Sequence, residues 1–211
     1  MRSRDEQDFE ERRQQIIDGA LQVFSKKGFE KATNKDIAAA SGIGSPGLIY
    51  HYFKDKGDLF QQVVEQRMPL LQLLTHSEEE MMGKPVREVL TVFAKSFLRV
   101  MENPTSIALM RLIGSEAIRQ PHVAGVLNRI GPSRSIGFLT RYLEKQISAG
   151  VLKPVDPRAA ARCFIGSLLA YLVTREVFLQ PDAQQLEPDA MVETTVEIFL
   201  QGVQFYATDA I

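Results

Sequence analysis

A cluster of hydrogen-bond donors lies in the segment 43–53, Ile-Gly-Ser-Pro-Gly-Leu-Ile-Tyr-His-Tyr-Phe. Ser45 offers a hydroxyl, Tyr50 a phenol and His51 an imidazole N–H, and each of these can donate to an anionic oxygen. Gly47 has no side chain, so the backbone there can come close to another molecule. The composition is poor for a helix, since Gly47 alone costs roughly 1 kcal/mol relative to alanine. The segment therefore combines donors with a backbone that permits close approach.

Helix signals surround this segment. The tetrapeptide 33–36, Thr-Asn-Lys-Asp, is a capping box, which predicts the start of a helix over 33–41. A glycine-containing turn ends this helix. Ser45 is a preferred N-cap and is followed by proline, the favoured first helical residue, which predicts a helix of about two turns over 45–52.

Longer helical patterns fill the rest of the chain, and alternating strand patterns are absent from the sequence. Apolar residues at helical spacing predict a first helix over 9–27, with Gly28 as its left-handed cap, and Asp55 begins another helix. Prolines and glycines separate six further predicted helices, at 66–82, 85–101, 104–119, 122–149, 156–179 and 187–206. The prediction is an all-α protein with a small N-terminal domain, 1–65, and a larger helical domain, 66–211.

Two short helices between two longer ones form a helix-turn-helix, a motif that places its second helix in the major groove of DNA. Ser45 and the first amides of that helix can bind phosphate, and Tyr50 and His51 can donate to phosphate oxygens. Lys56 can reach the same DNA backbone. The buried side of the helix is predicted to consist of Leu48, Ile49 and Phe53.

The segment 33–60 resembles the DNA-binding domain of the tetracycline-repressor (TetR) family. The similarity covers roughly the first 65 residues and is carried by Phe24, Gly28, Thr33, Asp36-Ile37-Ala38, Gly42, the run Gly-Leu-Ile-Tyr-His-Tyr-Phe at 47–53, Lys56 and Leu59. The resemblance implies phosphate contacts from Thr33, Tyr50, His51 and Lys56, and groove-facing positions for Ser45, Pro46 and Gly47. The turn 42–45 is one residue longer than the commonest family spacing, which leaves the register of Ser45 and Pro46 open.

The same resemblance implies a homodimer on a palindromic double-stranded DNA operator and a small-molecule effector that binds the second domain and usually releases the DNA. Residues 159–173 are apolar nearly all round, so a helix there must be covered on two sides. Together with the helix at 187–206 it predicts a four-helix dimer interface. The predicted interface residues are Ala161, Gly166, Ala170, Phe199 and Val203. The alternative is that both helices belong only to the core of one chain.

Polar residues inside apolar helices are the candidates for an effector pocket. They are Arg111, His122, Tyr142, Cys163, Tyr171 and Arg175. Each of them has a structural role as its alternative, and Cys163 is expected to be a small core residue. The pattern implies no cofactor and no metal ion.

Composition excludes several other classes of protein. The net charge of −1 argues against coating nucleic acid by charge alone, although six lysines face three acids between residues 26 and 56. One cysteine permits no disulfide within the chain, and the charged N-terminus is not a secretory signal, so a cytoplasmic protein is expected. The longest apolar run, 163–173, is too short to span a bilayer.

Enzyme motifs are missing: the sequence has no phosphate-binding glycine loop, nucleophile elbow or His-Glu-x-x-His. The favoured interpretation is a repressor released from its operator by a small molecule. Two alternatives stay open, a larger domain that binds a protein partner and an activator in place of a repressor.

Overall fold

The computed structural model describes residues 4–119, 125, 128 and 131–205, and this part of the chain contains no β-strand. The all-α prediction is thus confirmed. The α-helices are α1 (Arg4–Lys31), α2 (Asn34–Ala40), α3 (Lys56–Arg67), α4 (Pro69–Met81), α5 (Val86–Leu98), α6 (Pro104–Arg119), α7 (Pro132–Ser148), α8 (Pro157–Glu176), α9 (Pro181–Gln185) and α10 (Pro188–Val203). Two 3-10 helices accompany them, Pro46–His51 and Arg99–Glu102.

The helices form two compact units. The first consists of Met1–Arg67 with Pro104–Ile130, and the second of Met68–Asn103 with Gly131–Ile211. Helix α6 belongs to the first unit because it packs against α1, and the Ser106 hydroxyl donates to the carbonyl oxygen of Arg67 at 2.8 Å. The sequence pattern assigned 104–119 to the larger domain, because periodicity does not show which neighbour a helix packs against. The boundary between 65 and 66 stays a prediction.

The core of the first unit is aromatic where α1 meets α3. Phe24 and Phe29 both contact the Phe60 ring, with centroids 5.0 Å apart in each pair. Gly28 has φ 81°, the left-handed conformation predicted for it, but one more helical turn follows. Helix α1 consequently ends at Lys31, four residues later than predicted.

The crossing of α1 and α2 depends on Gly19. A Cβ atom at this position would lie 2.7 Å from the backbone nitrogen of Ser41 and 2.9 Å from its Cα. No side chain fits in that space, so glycine is what lets the two helices approach. This close packing sets where α2, and the turn after it, sit on α1.

The second unit is built around α5, which packs against α4, α8 and α10. Phe93 lies at its centre, 6.2 Å from the Phe138 ring and 6.3 Å from the Phe164 ring. Tyr142 is fully buried beside them, and its hydroxyl donates to the carbonyl oxygen of Lys84 at 2.8 Å. These aromatic contacts join α5, α7 and α8 into one core.

Several predicted spans differ from the structure at their ends or in their type. Helix α9 was not predicted, because five residues are too few for a periodic pattern. The span predicted over 122–149 is described as a helix from Pro132, and most of 122–130 lies outside the described residues. The helix predicted at 156–179 ends at Glu176.

Candidate nucleic-acid interface

The segment Pro46–His51 is a 3-10 helix of six residues and not the two-turn α-helix predicted from its capping signals. The Ser45 hydroxyl accepts from the amide of Gly47 at 3.2 Å, as expected for an N-cap. The amide of Leu48 then donates to the Ser45 carbonyl at 3.1 Å, a bond that spans three residues. A 3-10 turn suits this composition because Gly47 weakens longer α-helical structure and 3-10 helices are short.

This 3-10 helix has one buried side and one exposed side. Ile49 and Phe53 are 1% and 2% exposed, so they attach it to the unit as predicted, whereas Leu48, which was predicted on the same side, is only half-buried. Five of the predicted site residues form the exposed side, namely Ser45, Pro46, Gly47, Tyr50 and His51. Together they present hydroxyl, phenol and imidazole donors beside a backbone without side-chain bulk.

Tyr50 is oriented by a residue of α2. The Asn34 side-chain amide, Nδ2, donates to the Tyr50 phenol oxygen at 2.8 Å, while the Tyr50 side chain remains 59% exposed. Because the phenol accepts this bond, its own O–H is available to donate elsewhere. Asn34 was not identified from the sequence, since its contact with Tyr50, sixteen residues away, is set by how α2 packs against the 3-10 helix.

Thr33 caps α2 through the predicted capping box. Its hydroxyl accepts from the amide of Asp36 at 3.1 Å and donates to the Asp36 carboxylate at 2.7 Å. The Lys27 ammonium, 2.6 Å from the other carboxylate oxygen, is the main reason that the pKa of Asp36 is lowered to about 2, and Thr33 adds to the effect. A phosphate contact from the Thr33 hydroxyl would require its proton to turn away from Asp36.

Lys56 is half-buried at the start of α3. Its ammonium donates to the carbonyl oxygens of Glu30 and Ala32, each at 3.2 Å. It also lies 4.7 Å from the centre of the Phe29 ring. The cation is therefore already engaged by its own chain, which the sequence did not indicate.

Tyr52 is half-buried and packs against α1. Its ring is 4.6 Å from the ring of Phe9 near the start of α1. The guanidinium of Arg13 lies 5.4 Å from the Phe53 ring, and a hydrogen bond of 2.7 Å joins Arg13 to Gln62. These contacts hold the end of the 3-10 helix against α1, so Tyr52 has a packing role.

The candidate effector residues do not line one cavity in the described part of the second unit. Tyr142 is buried and bonded to Lys84, and desolvation raises the pKa of its phenol to about 12. Tyr171 and Arg175 bond the carbonyl oxygen of Leu186 at 2.6 and 2.8 Å, and Arg175 also bonds those of Ala183 and Gln184 at 3.1 Å. This pair therefore caps α9.

The remaining candidates lie elsewhere. Cys163 is exposed on α8, contrary to the expectation of a core position, because this face of α8 is uncovered in the single chain. Arg111 is exposed on α6 in the first unit. His122 lies outside the described residues. A cleft of about 210 Å³ lies between α4 and α5, lined by Leu73, Ser77, Glu80, Met81, Lys84, Glu88, Val89 and Val92.

The predicted dimer residues differ in their burial. Ala161 and Val203 are buried in the core of their own unit, so they are not available to a partner; the sequence pattern could not separate the two sides of these apolar helices. Gly166 and Ala170 are exposed on α8. Phe199 on α10 is half-buried, with its ring 5.1 Å from that of Phe164.

Among the residues that the structure describes, no three His, Cys, Asp or Glu side chains are grouped in a way that could hold a metal ion. None of the described helices combines the length and the hydrophobicity needed to cross a bilayer.

Two family models match the chain. Residues 16–63 match the model for bacterial regulatory proteins of the tetR family, and residues 88–204 match the C-terminal domain of AefR-like transcriptional repressors. The chain is 33% identical to the HTH-type transcriptional regulator AcrR of Shigella flexneri over 113 residues, 54% of this chain and 51% of that protein. The chain thus spans about half the length of this curated relative.

Solved structures share the fold. The SmeT–triclosan complex has a TM-score of 0.71 and 22% identity and covers 93% of both chains. SmeT is the repressor of the Stenotrophomonas maltophilia multidrug efflux pump SmeDEF. FadR of Bacillus subtilis with stearoyl-CoA has a TM-score of 0.68 and 23% identity over 90% of this chain and 98% of its own.

Proposed function

The chain belongs to the TetR family of transcriptional regulators, and from this membership we propose that it is a dimeric repressor released from its DNA operator by a small molecule. The similar proteins AcrR and SmeT are a transcriptional regulator and a repressor, respectively. Binding to chromosomal DNA also places the protein in the cytoplasm under this proposal.

One observation carries the DNA-binding proposal. The exposed side of the 3-10 helix Pro46–His51 and its N-cap Ser45 together hold five predicted contact residues, while Ile49 and Phe53 fix the other side to the unit. A short element with one apolar side and one donor-rich side is what a recognition element requires, since its register must be set by the protein core.

We assign roles to the exposed residues by their chemistry. Tyr50 and His51 donate to phosphate oxygens, and these contacts set the register on the duplex. Ser45, Pro46 and Gly47 face the base edges of the major groove. Thr33 adds a phosphate contact when its hydroxyl turns from Asp36. No arginine or asparagine lies at 45–51, so this face offers no bidentate base reader.

The proposed dimer uses the exposed sides of α8 and α10. Gly166 and Ala170 permit close approach of a second helix, and Leu169 and Ile198, 47% and 66% exposed, supply apolar area. A two-fold axis through these helices would place two recognition elements on a palindromic operator.

The effector is proposed to be an apolar or amphipathic small molecule bound in the second unit. Two structural neighbours support this class of ligand, because one is a complex with triclosan and the other a complex with stearoyl-CoA. The cleft between α4 and α5, at about 210 Å³, is smaller than the roughly 300–1,000 Å³ typical of drug-sized ligands. Binding there would therefore require α4 and α5 to separate.

A protein partner for the second unit is the alternative that one observation favours. Val177, Phe178 and Leu179 follow α8 and are 46%, 66% and 56% exposed. Exposed apolar side chains in a row commonly mark a surface for another protein.

Selection of bound duplexes from a random DNA pool, followed by a thermal-shift panel of hydrophobic compounds, tests the proposal. It predicts an enriched palindromic sequence and at least one compound that both stabilises the protein and releases that DNA. An enriched sequence without any active compound would favour the protein-partner alternative. Absence of enrichment would contradict the DNA-binding proposal.

A further inference from the structure

The cleft between α4 and α5 combines an apolar slot with a charged end. Its apolar lining comes from Leu73 and Met81 of α4 and from Val89 and Val92 of α5. The volume of about 210 Å³ suits a ligand smaller than a drug-sized molecule. A longer ligand would require the two helices to separate.

The charged end of the cleft consists of Glu80, Lys84 and Glu88. The Lys84 ammonium lies 2.9 Å from the Oε1 atom of each glutamate. Hydrogen bonds to the two carboxylates, the larger effect coming from Glu88, raise the pKa of Lys84. Two carboxylates and one ammonium line the cleft, so its formal charge is −1.

Two neighbouring cations are committed to other acids and do not neutralise this charge. Arg87 precedes Glu88 in the chain, but its guanidinium pairs with Glu197 of α10 at 2.8 Å. Arg141 of α7 pairs with Glu78. The excess negative charge of the cleft is therefore available to a ligand.

Helix α7 fixes the turn between α4 and α5, and with it the charged end of the cleft. The Tyr142 hydroxyl donates to the carbonyl oxygen of Lys84, and the Lys145 ammonium donates to that of Met82, each at 2.8 Å. Both bonds go to backbone atoms. The Lys84 side chain can therefore leave the carboxylates while the turn stays in place.

We propose that this cleft binds a small organic monocation with a short apolar chain. The ligand ammonium lies between the carboxylates of Glu80 and Glu88, and the chain fills the apolar slot. Lys84 bonds the Oε1 atom of each carboxylate, which leaves an acceptor on each Oε2 atom. The chemistry that holds the cation of Lys84 thus also suits the cation of a ligand. The inference rests on the proposed function in naming this cation as the effector, whereas the binding itself involves no DNA.

The experiment compares hexylammonium with hexanoate, which has a chain of the same length and the opposite charge. Binding to the full-length protein is measured without DNA, at neutral pH, by NMR titration of the leucine and valine methyl groups. For the parent we expect hexylammonium to bind at least about tenfold more tightly than hexanoate. The methyl signals of Leu73, Val89 and Val92 should shift, because these side chains line the cleft.

Variants change the charge of the cleft in both directions. Glu80→Gln combined with Glu88→Gln keeps the shape and leaves Lys84 as the charged residue of the lining, so the charge becomes +1 and the preference should reverse to hexanoate. Lys84→Met makes the charge −2, and hexylammonium should bind about fivefold more tightly. Glu79→Gln removes an exposed carboxylate of α4 that does not line the cleft, and it should bind both compounds like the parent.

Several results would overturn the proposal. They are no binding of hexylammonium, equal affinities of the parent for both compounds, an unchanged preference in the double variant, and methyl shifts that omit Leu73, Val89 and Val92. Anisotropy of the selected operator with added hexylammonium separates the site from the proposed function. If the cation binds the cleft without releasing the operator, the site stands and its role as the effector site fails. If the parent binds no DNA selectively, the DNA-binding proposal fails, and the methyl titration still decides whether the cleft binds cations.

Discussion

Removing the Tyr50 hydroxyl is the sharpest perturbation of the proposed recognition face. Tyr50→Phe keeps the ring and removes only the hydroxyl. This hydroxyl accepts a hydrogen bond from Asn34 and is proposed to donate one to phosphate. A hydrogen bond to a charged group contributes about 1.5–3 kcal/mol, so two protomers would lose about 3–6 kcal/mol of binding. This corresponds to a decrease in affinity of roughly 10²–10⁴-fold.

The stability of the protein should change little. Tyr50 is 59% exposed, and its bond to Asn34 is on the surface, so the loss is about 1 kcal/mol or less. For a chain of 211 residues this lowers the melting temperature by about 2–4 °C at most. The effect on DNA binding therefore cannot be attributed to unfolding.

Tyr52→Phe is the matched control for this change. It removes the same hydroxyl two residues away, on the side whose ring packs against Phe9. We expect Tyr52→Phe to bind the selected operator like the parent in anisotropy titrations. Parent-like binding by Tyr50→Phe, or a larger loss for Tyr52→Phe, would refute the assignment of the donor face.

Three further changes test the fold that positions this face. Tyr142→Phe leaves the Lys84 carbonyl without its buried donor and should lower the free energy of unfolding by about 1–3 kcal/mol, measured with urea. Gly19→Ala forces a Cβ against the Ser41 backbone and should cost about 1–3 kcal/mol and weaken DNA binding, because α2 must shift. The lowered pKa of Asp36, about 2 against an ordinary 3.8, stabilises the fold above pH 3.8. This stabilisation should be lost as the pH falls from about 3.8 to about 2, seen as a fall in melting temperature that Asp36→Asn lacks.

Each of these three predictions has a result that would contradict it. Gly114→Ala is the control for the glycine change, since nothing lies within 4 Å of its added Cβ, and it should not destabilise the protein. Equal stabilities for the Gly19 and Gly114 variants would show that the α1–α2 crossing tolerates a methyl group. A Tyr142→Phe protein as stable as the parent would mean that its hydrogen bond makes no net contribution. Parallel acid profiles for the parent and Asp36→Asn would exclude Asp36 as the titrating group.

Local signals predicted the parts of the fold that depend on neighbouring residues. The capping box at 33–36 and the left-handed Gly28 require only nearby backbone atoms, and both are present in the structure. Ile49 and Phe53 are buried, as predicted from their position on the side away from the donors. The predicted type of the helix Pro46–His51 was wrong, since capping signals do not distinguish a 3-10 helix from an α-helix.

Contacts between residues far apart in the chain could not be predicted from the sequence pattern. The Asn34–Tyr50 bond depends on how α2 packs against the 3-10 helix, and the Lys56 contacts depend on how α3 packs against α1. Lysine also looks the same in sequence whether it caps a helix or faces DNA. The two sides of α8 were equally ambiguous, because an apolar helix gives no periodic indication of which side its own core covers; Ala161 is on the covered side.

The central claim is that the exposed side of Pro46–His51 binds a specific operator. The most direct measurement is fluorescence anisotropy of the purified protein on DNA from beside its own gene and on scrambled DNA of equal length, at two salt concentrations. We expect tight binding to the first DNA, at least about 10³-fold weaker binding to the second, and loss of affinity with salt. Equal binding to both DNAs, repeated on sequences from the random-pool selection, would contradict it.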